Sequence, residues 1–400
     1  MSIKETMPYK NIDVNIVGGG NCQKNSNLTS STISALRLPL AIMVVFIHSF
    51  GKPATVDTLT IVYSNIGISE VYDLLRVAIS HVITHCAVPT FFLLSGYLFF
   101  TKLQEWDFGV WKTKIKSRIY TVLVPYLIWV SIAIAWILLQ KTAGCIVKSN
   151  PWSGITEWFS DNGWLHLYWD CNTWNLERTN ILGWHTPSSA PYLIPFWFMR
   201  DLIVVLIFTP VIHWCIKQFK TFFMLLVLIC YILGIWFPIP GFSSLATLYF
   251  SIGAYLMVNK IDLTAVCRRL LYVFYLVAIV LLPFMIYYDG HNTEIGNRIY
   301  PFFVLAMCGS IINIITWLER NSKMAWSKKY SDTTFFIFAS HVFFLPYTGK
   351  LLRKAVAFMG PLGDIVAYIL IPLLTVIICI TLCRIMQRYL PKLSKVIGCR

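Results

Sequence analysis

"ALRLPLAIMVVFIHSF" (residues 35–50) reads as a membrane helix that carries two ionisable groups, Arg37 and His48. An α-helix advances about 100° and 1.5 Å per residue, so eleven residues return to nearly the same face about 16 Å further along. Both side chains are therefore expected to line one side of a single helix. Ionisable residues at membrane depth are costly and usually face a cavity or a partner, which marks the pair as a functional site. Each residue alone has a plainer explanation, a snorkelling arginine and a packed histidine. The shared face favours function.

The rest of the chain supports the membrane reading. Its 400 residues are 57% hydrophobic and only 13% charged, with mean hydropathy +0.66, which excludes an ordinary soluble enzyme. Ten hydrophobic segments recur, at about 33–50, 79–100, 119–139, 192–215, 221–238, 242–258, 269–288, 299–318, 332–348 and 364–386. A net charge of +15 can signal nucleic-acid binding, but here the basic residues cluster in alternate connections. With both termini cytoplasmic, the inside segments hold 22 Lys/Arg and the outside segments 9. The expected fold is all-α, a polytopic integral membrane protein of about ten transmembrane helices. Residues 1–30 form a polar cytoplasmic segment without the apolar core of a cleavable signal peptide. Residues 31–390 form the membrane domain, and 391–400 a basic cytoplasmic tail.

Two connections stand out. "QEWDFGVWKTKIKSR" (104–118) sets Phe108, Trp111 and Ile115 at helical spacing with lysines between, an interfacial amphipathic helix. Its basic side suits anionic lipid or a polyphosphate ligand. The external loop 140–191 holds Trp152, Trp158, Trp164, Trp169, Trp174 and Trp184. Some of those rings belong to the interfacial aromatic belt, and so many together also suit a platform for a ring-shaped substrate.

Further polar residues lie within or beside hydrophobic runs: His81 and His85 in the second, Arg200-Asp201 mid-way through the fourth, His341 in the ninth, which Asp332 opens. Arg200 and Asp201 can neutralise each other, and His341 can be a satisfied core histidine. The eleven cysteines show no CxxC or Cys/His ligand spacing, so no metal site is expected; Cys145 and Cys171 share one loop and can pair. Neither an HxxxxD motif nor a GxSxG elbow is present, which leaves a serine nucleophile unsupported. Prolines within the spans (Pro89, Pro125, Pro210, Pro283, Pro372) point to kinked helices. No internal repeat is visible, which disfavours an inverted-repeat transporter.

Arg37-x10-His48, with "VPTFFLLSGYLF" (88–99), "RIYTVLVPYLIW" (118–129), "FWFMRDL" (196–202) and "TTFFIFASH" (333–341) following in order, resembles the membrane acyltransferase-3 family. The similarity covers about residues 30–390. It implies an O-acyltransferase of cell-surface glycans in the bacterial inner membrane, with His48 catalytic and Arg37 supporting the acyl donor. Acetyl-CoA or another acyl-CoA is the expected donor substrate, with no bound cofactor. The acceptor is a cell-surface polysaccharide or lipid-linked glycan, and no nucleic acid is involved. Arg118, Arg200, Asp201 and His341 are assigned to donor binding or its support, and Trp164, Trp184 and His85 to the acceptor. The chemistry agrees: Arg presents a donor fork suited to phosphate, and His is the usual general base near neutral pH. The rival readings are a secondary transporter or flippase of a lipid-linked sugar, and a non-catalytic subunit of a polysaccharide assembly complex.

Overall fold

The apolar run of the first segment belongs to a longer helix, Gly20–His48, of 29 residues. Its polar start is not loose: the Thr29 hydroxyl donates to Asp262 Oδ2 at 2.6 Å, and the Ser31 hydroxyl donates to Glu319 Oε1 at 2.5 Å. Further along, Leu36, Leu38, Leu40, Ala41, Val44 and Val45 are buried, so this helix is the centre of the bundle. It packs against Ala87–Phe99, Glu294–Arg320, Ala325–Lys329 and Thr334–Val356. The computed structural model describes residues 20–49, 67–101, 106–171, 176–179, 185–291 and 293–399.

Among the described residues seven helices are long and apolar enough to cross a membrane, or eight if the bent pair Ser244–Val258 and Leu263–Arg269 is one span. Ten is not reached by this measure, because several expected segments are short or broken. Trp197–Ile207 has 11 residues, Leu271–Tyr287 has 17, and the bent pair turns by 107°. Thr209–Leu233 is interrupted at Lys220, whose backbone (φ 45°, ψ −123°) is not helical. That break falls between two of the expected segments. Proline explains the first interruption there, since Pro210 has no N–H to offer the carbonyl of Leu206; the Thr209 hydroxyl donates to that carbonyl instead, at 2.7 Å.

The second span, Ile68–Phe99, shows how sequence shapes the site. It passes from α-helix into a π-helical stretch, Val77–Val82, and a tight 3-10 turn, Ile83–Cys86. Pro89 follows and cannot donate to the His85 carbonyl. Threonines repair part of the loss: Thr84 donates to Ile79 O at 2.7 Å and Thr90 to Cys86 O at 2.7 Å. Irregular backbone at membrane depth is tolerated where it lines a cavity or is covered by protein.

Other boundaries also moved. The tryptophan-rich segment begins later than 140, because the third span runs from Phe108 to Lys148 and ends at Ser149 in the left-handed conformation. Beyond it lie short helices, Ser153–Asn162 and His166–Trp169, and a two-stranded antiparallel hairpin, Leu176–Thr179 with His185–Ser188. Cys145 and Cys171 do not pair; Cys145 Sγ lies 3.7 Å from Pro151 O and Cys171 Sγ 3.1 Å from Asn162 Oδ1. The tail folds back as a helix, Pro391–Val396, and the Trp129 indole donates to Ile397 O at 3.0 Å. The helix expected within 104–118 forms as Phe108–Arg118, with Asp107 accepting from Val110 N at 2.7 Å as its cap, and it runs on into the third span.

The closest helix contact is between Ala87–Phe99 and Ser244–Val258, made possible by glycines. A Cβ on Gly96 would lie 2.0 Å from Phe250 O, and one on Gly253 would lie 1.9 Å from Leu93 O. Both obstacles are backbone, so neither can swing aside. Gly253→Ala is therefore expected to destabilise the fold by about 1–3 kcal/mol or more through overpacking. Gly154→Ala, where a Cβ meets nothing within 4 Å, is expected to be neutral or slightly stabilising on its helix. Melting of the two variants in detergent checks this; equal melting temperatures would contradict the packing account.

Candidate active site

His48 is the last residue of the first helix, and its ring lies against that of His341, with 5.1 Å between centroids. The sequence leaves open whether the two imidazoles meet; in the structure their rings lie side by side. Lower down, the Ser327 hydroxyl donates to Ala35 O at 2.6 Å. Ser327 lies on the short helix Ala325–Lys329, which leads through the 3-10 turn Ser331–Thr333 into Thr334–Val356, the helix that carries His341.

The His341 side chain is fully buried, and its Nδ1 lies 3.1 Å from Ile337 O, one turn back on the same helix. A carbonyl only accepts, so Nδ1 carries the hydrogen and Nε2 keeps its lone pair. Nε2 is buried and has no hydrogen-bond partner among the described residues. His48 is half-buried and lines a cavity of about 100 Å³ together with His85, Tyr300 and Trp197. A cavity-facing imidazole backed by a second imidazole of fixed tautomer is equipped to accept a proton from a hydroxyl.

His85 reaches this cavity because of the irregular turns that precede it. Its Nδ1 lies 3.4 Å from the Tyr300 hydroxyl, and its ring 4.9 Å from that of His291. His81 is turned to Asp289 instead, with 2.5 Å between Nδ1 and Oδ1. Tyr300 and His291 were not singled out from sequence. A tyrosine at the outer end of a span reads as a belt residue, and no local pattern ties it to a histidine on another helix.

Arg37 is exposed and makes no hydrogen bond or ion pair among the described residues. Its helix face continues through buried Ala41 and Val44 to His48. Arg118 is half-buried at the end of the interfacial helix. Nearby, the Lys114 amine donates to Phe99 O and, at 3.4 Å, to Thr101 O.

Arg200 and Asp201 are buried in the first turns of their helix, towards the tryptophan-rich segment, rather than mid-span. The helix starts only at Trp197, after a 3-10 turn containing Pro195. Arg200 donates to Asp201 Oδ1 at 2.9 Å, to Trp169 O at 2.7 Å and to Ser189 Oγ at 3.1 Å. These bonds tie the middle and the end of the tryptophan-rich segment to the membrane helix. Trp169 in turn donates to Pro240 O at 3.0 Å. Asp332 is likewise engaged, accepting a two-pronged pair from Arg384 at 2.7 and 3.0 Å. Trp164 is exposed and stacks on Phe159 at 4.0 Å, away from the cavity wall, while Trp174 and Trp184 lie outside the described residues. Among the described residues no group of three His, Cys, Asp or Glu is arranged to hold a metal ion.

The acyltransferase domain family matches residues 31–384, which include every helix described around the cavity. The chain is 25% identical over 242 residues to "Succinoglycan biosynthesis protein ExoH" of Rhizobium meliloti (strain 1021). That match covers 60% of this chain and 57% of the relative, so the chain spans little more than half of that protein's length. No solved structure matches. With nearly the whole membrane domain inside the family match, and with several helices long and apolar enough to cross a membrane, the chain belongs to the acyltransferase-3 family.

Proposed function

We propose that this chain moves an acyl group, acetyl in the first instance, from acyl-CoA at the cytoplasmic face to a hydroxyl of a cell-surface polysaccharide or lipid-linked glycan. The observation that carries the reading is His48, facing a cavity with the buried His341 behind it. The relative's name, which speaks of succinoglycan biosynthesis, supports a polysaccharide acceptor. We place the site in the bacterial inner membrane with both termini in the cytoplasm, following the distribution of basic residues.

In this mechanism neutral His48 takes the proton of the acceptor hydroxyl as its oxygen attacks the thioester carbonyl. The new C–O bond forms, the C–S bond breaks, and the CoA thiolate leaves with the proton that His48 returns. Arg37, unpaired and exposed, meets the CoA phosphates, about 16 Å below His48 on the same helix. The pantetheine arm covers that span. Ala41 and Val44 are packed along it, so donor entry requires the neighbouring helices to part there. His341 supports His48 from behind. The transporter reading has less behind it, because the buried Arg200–Asp201 pair is fully used as a tie to the external segment.

His48→Ala is expected to lower acyl transfer by on the order of 10²–10⁴-fold with membrane yield intact. Turnover retained above about a tenth of wild type would remove the general-base role. His341→Ala and His341→Gln are expected to lower turnover per folded molecule, and Ala also to cost about 1–3 kcal/mol of stability. A loss of melting temperature with unchanged turnover per folded molecule would make His341 purely structural.

Arg37→Lys keeps the charge and loses the two-pronged donor fork. CoA affinity measured by calorimetry is expected to fall, and equal affinity and activity in the Lys variant would exclude the phosphate role.

A further inference from the structure

The cavity beside His48 is small and mostly apolar, lined by Val44, Val88, Trp197, Leu245 and Phe338 among others. Its polar groups come from His48, His85 and Tyr300, and no Lys, Arg, Asp or Glu lines it among the described residues. We propose, on the basis of the function proposed above, that this cavity is the acyl pocket and that it limits the donor to short, uncharged acyl groups such as acetyl and propionyl.

Three physical arguments carry this. A sugar ring brings several hydroxyls, each costly to bury without a partner, and an apolar wall with three polar side chains does not supply them. The cavity thus suits the acyl end of the donor better than the acceptor ring. Its volume, about 100 Å³, is smaller than the roughly 150 Å³ of an apolar cavity known to take benzene. A two- or three-carbon acyl group fits, and a six-carbon chain does not. Finally, an acyl group ending in a carboxylate would be buried with no lysine or arginine beside it, an unpaired charge in an apolar site.

Part of the wall is also braced. Val88 stands beside Pro89 at the start of Ala87–Phe99, and Leu245 at the start of Ser244–Val258. Those two helices are locked backbone to backbone through Gly96 and Gly253. A longer acyl chain cannot push them apart without breaking that contact.

The test uses the full chain in membrane vesicles, with polysaccharide extracted from cells that lack it as acceptor. Acetyl-, propionyl-, hexanoyl- and succinyl-CoA are compared by thiol release and by ester formed on the glycan. Wild type is expected to prefer acetyl or propionyl over hexanoyl and succinyl by about a hundredfold or more, since one misfitted methylene alone is worth about 10–200-fold. Leu245→Ala and Val88→Ala are each expected to raise hexanoyl use relative to acetyl by about tenfold. Wild-type transfer of hexanoyl or succinyl within about threefold of acetyl would overturn the pocket while leaving acyl transfer itself standing. So would an unchanged chain-length profile in both folded variants. Where a variant fails to fold, the wild-type profile decides. Transfer from none of the four donors would overturn both the proposed function and the pocket.

Discussion

The contact between the rings of His48 and His341 rests on the polar ties that hold the first helix in the bundle. The Ser327 hydroxyl, on the short helix that precedes the one carrying His341, donates to the Ala35 carbonyl midway along the first helix. Around it a cluster of polar ties holds the start of the helix: Ser31 and Lys328 both bond Glu319, and Thr29 bonds Asp262. In a lipid environment hydrophobic burial gives little register between helices, because lipid tails are as apolar as leucine. Hydroxyl–carbonyl and hydroxyl–carboxylate bonds supply it instead. A slip of one residue would rotate His48 about 100° away from both the cavity and His341.

The end of the bundle that carries the tryptophan-rich segment is organised by different contacts. Arg200 is buried with every direction of its guanidinium engaged, and losing one partner would leave an uncompensated charge. It therefore serves as an anchor for the tryptophan-rich segment and not as a phosphate ligand. Arg37 is the opposite case. It is a guanidinium left open on the helix that also carries His48, and the donor role proposed for it rests on that contrast.

Periodicity made part of this legible in the sequence. The shared face of Arg37 and His48 follows from 3.6 residues per turn, and the interfacial helix from the spacing of Phe108, Trp111 and Ile115. Ordered motifs identified the family. What the sequence did not carry was register and curvature. His48 meets His341 across helices far apart in the chain, and the tie from Ser327 to Ala35 likewise joins residues 292 apart. The path of His85 to the cavity depends on π and 3-10 turns ahead of Pro89, which change the residues per turn and so the facing. Segments of suitable hydropathy also proved shorter than a membrane is thick, as at Trp197–Ile207, where the backbone breaks before Pro210.

The central claim is that one helix joins a donor on the Arg37 side of the membrane to an acceptor on the His48 side. Sided delivery tests it most directly. The purified chain is reconstituted in proteoliposomes whose orientation is established by impermeant cysteine labelling. Labelled acetyl-CoA is then supplied on one side and extracted polysaccharide on the other. The account predicts ester on the polysaccharide only when acetyl-CoA is on the side of Lys112–Lys116 and the glycan is on the side of Trp164. Transfer with both substrates confined to one side, or with the two sides exchanged, would contradict it.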